Sequence, residues 1–519
     1  MKTLANYVEG RWQEGRSGAR TLHHAVDGSP IASCSTEGVD FGRALAHARK
    51  AGAALRALTF HQRAGLLKQL ATALGEKKAE LAALAYTYGA TPADAGMDVD
   101  GGIGTLHVYA SLGAKTLPAQ PYLVEGDAIP LSKGGNFGGQ HLLVPLEGVQ
   151  VQINAFNFPA WGMLEKLAPA LLAGMPSFVK PATPTALLAW RVAEIIVGAN
   201  ILPEGALQIV CGAAGDLFEH LGCQDVVAFT GGAATAAQLR THRTVARHAV
   251  RFNAEADSLN ACILGPDVAS DSPAFTRFAD EVAREMTAKA GQKCTAIRRI
   301  FVPAEREADV VAALRERLGK VVTGDPAKAG VTMGPLVGKP QLEEARAGIA
   351  QLVRECDVVT GDPQRRQFEG GNTDRGGFLE PILLRSKDPA ASKAAHEVEV
   401  FGPVSTVVRY ADPAHAIELV RRGGGSLVSS LYSEDEAFAR ALTFGIAPYN
   451  GRVLVMNAAA AAESTGHGVA MPQLVHGGPG RAGGGEELGG TRAVFHHMQR
   501  VALQGHPARL KALSGAAGP

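Results

Sequence analysis

Cys294 lies in a short turn, Gly291-Gln292-Lys293-Cys294-Thr295, which begins with glycine and follows a helix-like segment, residues 275–290. A cysteine reacts as its thiolate, and backbone N–H groups, helix ends and nearby cations such as Lys293 favour that form. In such a turn the thiolate can attack a carbonyl carbon while neighbouring N–H groups stabilise the resulting oxyanion. Because most cysteines in a protein of this size are inert and buried, the turn alone indicates a nucleophile only weakly.

Three further motifs place reactive groups where predicted strands end. Asn157 follows the strand at residues 149–153, and its side-chain amide can donate to a developing oxyanion; alternatively, Asn157 only caps the next helix. Lys180 ends the next strand, where its ammonium can hold a ribose or a phosphate. Thr230, Gly231 and Gly232 end another strand and open a helix, so the bare backbone can approach a pyrophosphate or a nicotinamide, although most Gly-Gly pairs only shape turns.

The composition excludes several classes of protein. The chain has 519 residues, of which 46% are hydrophobic and 19% charged, as in a soluble globular protein with two or three domains. Lys and Arg number 51 against 50 Asp and Glu, so the charge gives no reason to expect nucleic acid or an anionic membrane as partner. There is no signal peptide pattern and no apolar run of about 18 residues. These observations predict a cytoplasmic enzyme.

The six cysteines are widely spaced and include no Cys-x-x-Cys pair, so their spacing predicts neither a disulfide framework nor a structural zinc site. No metal is expected among the site residues.

The order of the predicted elements indicates an α/β fold. Residues 40–86 have helical periodicity, and from residue 148 short strands alternate with helices in two successive runs. This alternation predicts right-handed crossovers and parallel sheets with helices on both faces, and such sheets bind ligands at the carboxyl ends of their strands. Residues 138–146 form a strand of an excursion from the first run, and we expect the chain after Arg492 to pair with it.

Taken in order, the motifs resemble those of the NAD(P)-dependent aldehyde dehydrogenase superfamily over about residues 5–500. The resemblance implies a Rossmann-like parallel-sheet cofactor domain (residues 1–131 and 148–254) and a second α/β, catalytic domain (residues 255–470). It also implies a small β bridging element for oligomerisation (residues 132–147 and 490–519) and hence a homodimer. The matching motifs are Asn157-Phe158-Pro159, Lys180-Pro181-Ala182, Phe229-Thr230-Gly231, Gly291-Gln292-Lys293-Cys294, Glu399-Val400-Phe401-Gly402-Pro403 and Glu487-Leu488-Gly489.

The resemblance assigns roles to individual side chains. Cys294 is similar to the nucleophile that forms a thiohemiacetal, and the side chain of Asn157 with the N–H of Cys294 is expected to form the oxyanion hole. Lys166 resembles the lysine of a proton relay; the alternative is a surface lysine with only its stem buried. Lys180 is expected to contact the adenosine ribose and Glu399 the nicotinamide ribose. The residues implied in cofactor binding are Phe156, Lys180, Ala182, Thr183, Thr230, Gly231, Gly232, Glu399 and Phe401.

The position of the general base departs from the family pattern. Asn253 stands where the family usually has the carboxylate, and Glu255 follows two residues later. Residues two apart in a strand face the same side, so we expect Glu255 to activate the water that hydrolyses the thioester. The alternative is a structural Glu255 or Asp257 paired with a nearby cation.

The residue at position 183 indicates the cofactor. Many family members have a glutamate there that binds both hydroxyls of the adenosine ribose, and its charge repels a 2′-phosphate. Thr183 removes that charge and leaves Lys180 free to pair with phosphate. We therefore expect NADP, with NAD as the less favoured cofactor.

Two segments of the chain resemble those of one branch of the family, namely residues 255–260 and the late glycine-rich segment, residues 471–487. Members of that branch act on semialdehydes linked to coenzyme A; some carry an additional C-terminal hydratase domain, and because this chain stops at Pro519 the single-domain members match better. The implied substrate is the coenzyme A thioester 3,4-didehydroadipyl-CoA semialdehyde, oxidised to the free acid. Alternatives are a dehydrogenase of simple aliphatic aldehydes, an acylating enzyme that transfers the thioester to free coenzyme A, and a non-catalytic relative.

Overall fold

The computed structural model describes residues 1–514, apart from the side chain of Glu487; residues 515–519 of the predicted bridging segment 490–519 lie outside the described residues. The strands are β1 (Lys2–Leu4), β2 (Asn6–Val8), β3 (Arg11–Gln13), β4 (Arg20–His23), β5 (Pro30–Cys34), β6 (Leu123–Pro130), β7 (Gly138–Pro145), β8 (Gln150–Ile153), β9 (Ser177–Lys180), β10 (Leu207–Ile209), β11 (Val226–Thr230), β12 (Arg251–Glu255), β13 (Ala261–Leu264), β14 (Arg299–Pro303), β15 (Cys356–Thr360), β16 (Gln367–Phe368), β17 (Gly371–Asn372), β18 (Ile382–Ser386), β19 (Val404–Tyr410), β20 (Ser426–Tyr432), β21 (Asn450–Met456), β22 (Val475–Gly477), β23 (Glu486–Leu488) and β24 (Met498–Gly505).

The helices are α1 (Phe41–Ala57), α2 (Phe60–Gly75), α3 (Lys78–Ala85), α4 (Pro92–Lys115), α5 (Trp161–Ala173), α6 (Ala186–Gly198), α7 (Ala233–Arg240), α8 (Arg243–Arg247), α9 (Pro273–Thr287), α10 (Glu307–Leu318), α11 (Lys339–Leu352), α12 (Ala394–Glu397), α13 (Pro413–Arg421), α14 (Glu436–Ile446), α15 (Ala458–Ala461), α16 (Thr491–His496) and α17 (Pro507–Leu513). Within residues 1–514, none of them combines the length and the apolar character needed to cross a membrane.

The first large sheet has the strand order β12-β11-β8-β9-β10-β2-β3. Strands β8 to β12 run parallel, as the alternating strands and helices predicted, and β2 joins antiparallel to β10. Successive side chains of β9 point to opposite faces, so Phe178 packs on Phe41 of α1 while Val179 packs in the cluster that contains Leu164 of α5. The sheet is therefore covered by helices on both sides.

The second large sheet has the order β15-β18-β19-β14-β13-β20-β21, and all but the edge strand β15 are parallel. Cys262 and Leu264 of β13 pack with α9 and α10, whereas Ala261 and Ile263 pack with α13 and α14. Residues 256–260 lead directly from β12 of the first sheet into β13 of the second. The carboxyl end of β12 thus lies at the junction of the two sheets.

The third sheet is antiparallel and has the order β24-β7-β6. Strand β24 pairs with β7 from Met498 opposite Pro145 to Gly505 opposite Gly138, so the predicted pairing of the C-terminal segment with residues 138–146 is confirmed. The proposed division of the chain into domains stays a prediction.

Two predicted helices differ from the observed ones. The sequence of residues 215–221 predicts a helix between two strands, but the structure has only a 3₁₀ turn there, Leu217–His220. The helix expected at residues 275–290 ends at Thr287, because Lys289 and Ala290 adopt left-handed conformations with φ of 52° and 53°. This interruption directly precedes the Cys294 turn.

Candidate active site

The Cys294 turn is built on a glycine that no other residue can replace without strain. Gly291 has a φ of 68°, and a Cβ placed there would lie 2.2 Å from the carbonyl oxygen of Gly402. The turn therefore packs directly against the backbone of the segment that carries Glu399 and Phe401. This contact joins the predicted nucleophile to the predicted nicotinamide-ribose site.

Two buried side chains tie the backbone of the turn in place. The side-chain amide of Asn260 donates to the carbonyl oxygens of Cys294 and Ala296, both at 2.8 Å. The guanidinium of Arg298 donates to the carbonyl oxygens of Gly291 at 2.9 Å and Gly402 at 2.7 Å. The nucleophile therefore sits on a backbone that is fixed from both sides.

The charge environment of Cys294 differs from the expectation drawn from its sequence neighbours. Lys293 is paired with Glu285 at 2.6 Å, and both side chains are buried, so its charge is already offset. Burial, followed by the nearby Glu255 carboxylate, raises the pKa of the Cys294 thiol well above its usual value. Lys293 still lowers the pKa of Cys294, as expected from the sequence, but burial and Glu255 outweigh it, so a group nearby must accept the thiol proton.

The four predicted catalytic residues line one cavity of about 260 Å³, namely Cys294, Asn157, Glu255 and Lys166. Much of the remaining lining is apolar and includes Met97, Phe158, Trp161 and Val469. A small aliphatic chain fits such a lining, since its burial needs no polar partners.

Glu255 ends β12 and is 2% exposed. Its Oε2 lies 3.1 Å from Nε2 of His476. Burial raises the pKa of Glu255, but His476, with Lys166 and the Cys294 thiol, outweighs burial and holds this pKa below its usual value. Burial lowers the pKa of the His476 imidazole, whereas the nearby Glu255 carboxylate raises it, and the net shift is upward. Glu255 is thus paired with a histidine inside the same cavity, and its role as the base stays a prediction.

The displaced carboxylate faces the hairpin of β22 and β23. Asn253 accepts from the N–H of Glu486 on β23 at 2.9 Å, and Glu255 contacts His476 on β22, which pairs with β23. The two side chains therefore face the same side of β12, as their spacing predicted.

His476 is the site residue that sequence reasoning missed. Its Nε2 lies 4.0 Å from Sγ of Cys294 as well as 3.1 Å from Glu255. The only signal in the sequence was its position in the unusual segment 471–487, which pointed to a branch of the family and not to a role for the imidazole.

Lys166 is buried, with 3% of its surface exposed, so the alternative of a surface lysine was wrong. It donates to the carbonyl oxygen of Gly162 and to the carboxylate of Glu165, both at 3.3 Å. Burial raises the pKa of Glu165, and Lys166 opposes that shift. Its role in a proton relay stays a prediction.

The nicotinamide end of the predicted cofactor site has unpartnered polar atoms among the described residues. Phe156 and Phe401 meet edge to face with ring centres 5.7 Å apart. Glu399 accepts from the N–H of Ser258 at 2.8 Å, while its Oε1 and the hydroxyl of Thr230 are buried without a hydrogen-bond partner. Such atoms fit the hydroxyls and the carboxamide of a nicotinamide riboside.

Burial raises the pKa of Glu399 to about 7; Arg298, whose Nε lies 3.6 Å from the carboxylate, opposes this shift. Because the group is close to half ionised at neutral pH, its charge responds to small changes in pH.

The adenosine end is formed by the residues after β9. The ammonium of Lys180 donates to the carbonyl oxygen of Pro181 at 3.4 Å, a long hydrogen bond. Ala182 precedes the 3₁₀ turn Thr183–Thr185, and Thr183 lines a cavity of about 560 Å³ together with Lys339 and Arg375. Lys180 and Ala182 are not among the residues that line this cavity, so of the predicted adenosine-binding residues it contains only Thr183.

The Gly231-Gly232 turn meets the start of α7. The N–H of Gly231 donates to the carbonyl oxygen of Glu255 at 3.2 Å, which joins the turn to the end of β12. The carboxylate of Asp257 accepts from the N–H of Ala233 at 2.9 Å, so Asp257 caps the helix instead of pairing with a cation.

Comparisons with known proteins agree with this geometry. The model of the aldehyde dehydrogenase family matches residues 12–492. The chain is 50% identical over 481 residues to a 3,4-dehydroadipyl-CoA semialdehyde dehydrogenase of Aromatoleum evansii, covering 92% of this chain and 93% of that relative.

Solved structures agree in fold. Betaine aldehyde dehydrogenase from Staphylococcus aureus in complex with NAD⁺ has a TM-score of 0.83 at 23% identity over 97% of this chain and 95% of that chain. A 3,6-anhydro-L-galactose dehydrogenase in complex with NADP has a TM-score of 0.84 at 21% identity over 97% of this chain and 100% of that chain. With its fold, its cavity and its sequence in agreement, the chain belongs to the aldehyde dehydrogenase family.

Proposed function

We propose that this aldehyde dehydrogenase oxidises a coenzyme A-linked aliphatic semialdehyde, 3,4-didehydroadipyl-CoA semialdehyde, to the free acid with NADP. The chemistry is carried by one observation, the convergence of Cys294, Asn157 and Glu255 on a single cavity. The choice of substrate is supported by the 50% identity to the 3,4-dehydroadipyl-CoA semialdehyde dehydrogenase over 92% of the chain.

The first half of the reaction begins at the thiol of Cys294. The imidazole of His476, with Nε2 at 4.0 Å, is the candidate acceptor of the thiol proton, and the resulting imidazolium pairs with the Glu255 carboxylate beside it. The thiolate adds to the aldehyde carbon, and the amide of Asn157 with the N–H of Cys294 stabilises the oxyanion. Glu399, Thr230 and Phe401 would hold the nicotinamide riboside, and the nicotinamide would supply the acceptor for the hydrogen of that carbon and its electron pair. The acyl group is then held on Cys294 as a thioester.

The second half is hydrolysis. Glu255 takes a proton from water, the hydroxide adds to the thioester carbon, and the sulfur of Cys294 leaves as the acid forms. His476 keeps the buried carboxylate ionised for this step. Lys166 is assigned to proton relay, in agreement with its burial beside the same cavity.

The proposal for NADP is supported by the side chain at position 183. Thr183 is uncharged and lines a cavity that also contains the cations Lys339 and Arg375 and the acids Asp27 and Asp374. We expect Thr183→Glu to lower kcat/KM for NADP at least about tenfold and to favour NAD, because a carboxylate repels the 2′-phosphate. Thr183→Val is the matched control, since it adds no charge and should keep the preference for NADP. A wild-type preference for NAD contradicts the proposal.

The substrate is tested with a panel of semialdehydes, with and without a coenzyme A thioester. We expect the highest kcat/KM for the six-carbon coenzyme A-linked semialdehyde, and the same rate with and without free coenzyme A. Better oxidation of simple aliphatic aldehydes contradicts the proposed substrate but leaves the reaction class intact. Strict dependence on free coenzyme A contradicts hydrolysis and indicates an acylating enzyme.

A further inference from the structure

Three chemically different donor atoms meet at the end of the cavity. The carboxylate of Glu255, the thiol sulfur of Cys294 and the imidazole of His476 lie within 4.8 Å of one another. Nε2 of His476 is 3.1 Å from Oε2 of Glu255 and 4.0 Å from Sγ of Cys294. Sulfur, nitrogen and oxygen donors of these kinds are the ligands that zinc prefers.

The distances between these atoms suit one tetrahedral ion. Zinc lies about 2.3 Å from a thiolate sulfur and about 2.0–2.2 Å from imidazole nitrogen or carboxylate oxygen. In a tetrahedral site two such ligand atoms are therefore about 3.4–3.6 Å apart, so the 3.1 Å contact of His476 with Glu255 is slightly short and its 4.0 Å contact with Cys294 slightly long. The sulfur and the carboxylate oxygen lie within 4.8 Å of each other and must approach by up to about 1.2 Å, which rotations of the Glu255 and Cys294 side chains provide.

We propose that the enzyme binds one zinc ion through Cys294, His476 and Glu255, and that this ion reversibly blocks aldehyde oxidation. Binding forms a zinc–sulfur bond and releases the thiol proton to solvent, with no change in oxidation state. The fourth ligand position faces the cavity of about 260 Å³, through which the ion enters. Zinc inhibits because it occupies the thiolate and the base, which the reaction needs whichever aldehyde is the substrate.

The surroundings of the ligands indicate a reversible site. Nδ1 of His476 and Oε1 of Glu255 are buried and have no hydrogen-bond partner among the described residues. A histidine that ligates zinc in a tight site normally donates its other N–H to an acceptor, which raises affinity. We therefore expect a chelator to remove the ion and restore activity.

The test uses the full-length, reduced, chelator-treated protein. Titration with CdCl₂ should produce a thiolate-to-cadmium charge-transfer band that saturates at one ion per chain. ZnCl₂ should inhibit aldehyde oxidation, EDTA should restore it, and zinc should protect Cys294 from iodoacetamide, as read by mass spectrometry of the peptide. Inhibition by zinc without protection of Cys294 overturns the proposal, and this readout needs no variant.

Variants identify the ligands. His476→Gln and Glu255→Gln should each weaken cadmium binding about tenfold or more, and Cys294→Ser should abolish the charge-transfer band. Cys223→Ser is the matched control, because Cys223 is an exposed free thiol that does not line the cavity, and it should leave cadmium binding unchanged. A band that persists in Cys294→Ser, or folded glutamine variants that bind cadmium as tightly as the wild type, overturns the proposal.

Discussion

The pKa of the Glu255 carboxyl lies below its usual value although the group is almost completely buried. A carboxyl group in such surroundings normally takes up a proton, because a low dielectric disfavours the charged form. His476, 3.1 Å away, together with Lys166 and the Cys294 thiol, outweighs this preference. At the scale of the residue, the proposed base therefore depends on a neighbouring imidazole that the sequence pattern did not identify.

Replacing Glu255 by glutamine separates the two halves of the reaction. The amide keeps the size of the side chain but cannot take a proton from water, so the thioester should form and then accumulate. We expect a burst of about one reduced cofactor per active site, followed by a steady rate lower by about 10²- to 10⁴-fold. Stopped-flow absorbance of the reduced nicotinamide measures both phases.

Cys294→Ala is the control for that experiment, because it should remove the burst as well as the turnover. A Glu255→Gln variant with an undiminished steady rate would show that another group activates the water.

The raised pKa of Glu399 predicts that cofactor binding depends on pH. Below its pKa of about 7 the group is neutral, and above it the carboxylate is a stronger acceptor for ribose hydroxyls. Burial favours the neutral form, Asp257 adds to that effect and Arg298 opposes it. We expect affinity for NADP to increase about fivefold as pH rises through this range, since hydrogen bonds to charged groups are about 1 kcal/mol stronger. Titration calorimetry at several pH values measures the change.

The 2′-phosphate of NADP also titrates near pH 6, so the same measurement is needed on Glu399→Gln. This variant cannot ionise at position 399 and should retain only the pH dependence of the phosphate. Equal pH dependence in both proteins contradicts the role assigned to Glu399.

At the scale of the element, the turn between α9 and β14 is the most constrained segment of the site. Gly291→Ala should lower stability by about 1–2 kcal/mol through its left-handed backbone. Overlap of the new Cβ with the carbonyl of Gly402 should lower the stability by about 1–3 kcal/mol more. We also expect kcat to fall, because the turn carries Cys294. Chemical denaturation and steady-state kinetics measure the two effects.

The matched control is Gly18→Ala. Gly18 has a similar φ of 63°, but a Cβ there would meet no atom within 4 Å. It should therefore show the backbone effect alone and leave kcat unchanged. Equal losses of stability in the two variants would contradict the packing argument for Gly291.

The strands that position Asn157, Lys180 and Thr230 could be predicted from the sequence, because each is a short alternating or mainly apolar segment that ends in a turn motif. The contacts of His476 and Lys293 could not. They join side chains from separate elements, and such tertiary pairs leave no periodic pattern in the chain. The same holds for the end of α9, where left-handed Lys289 and Ala290 interrupt a sequence with helical periodicity and the N–H of Lys289 donates to Asp94 of α4 at 2.7 Å.

At the scale of the whole molecule, the site lies where the two large sheets meet. Glu255 ends β12 of the first sheet, and the Cys294 turn leads into β14 of the second. Asn260, between β12 and β13, bonds to the carbonyl of Cys294 and so connects the two. The distance between base and nucleophile is therefore set by how the sheets pack, which no local pattern records.

The small sheet of β6, β7 and β24 predicts a homodimer. Ile129, Leu131, Phe137 and Val501, in or beside this sheet, are 38–51% exposed, and such apolar patches usually mark interfaces. Analytical ultracentrifugation should show a dimer for the wild type and a monomer for Phe137→Asp combined with Val501→Asp, because charge there opposes burial. Val322→Asp is the control: Val322 is 40% exposed but lies outside this sheet, and its replacement should leave the dimer intact. A wild-type monomer, or a double variant that stays dimeric, contradicts an interface at this sheet.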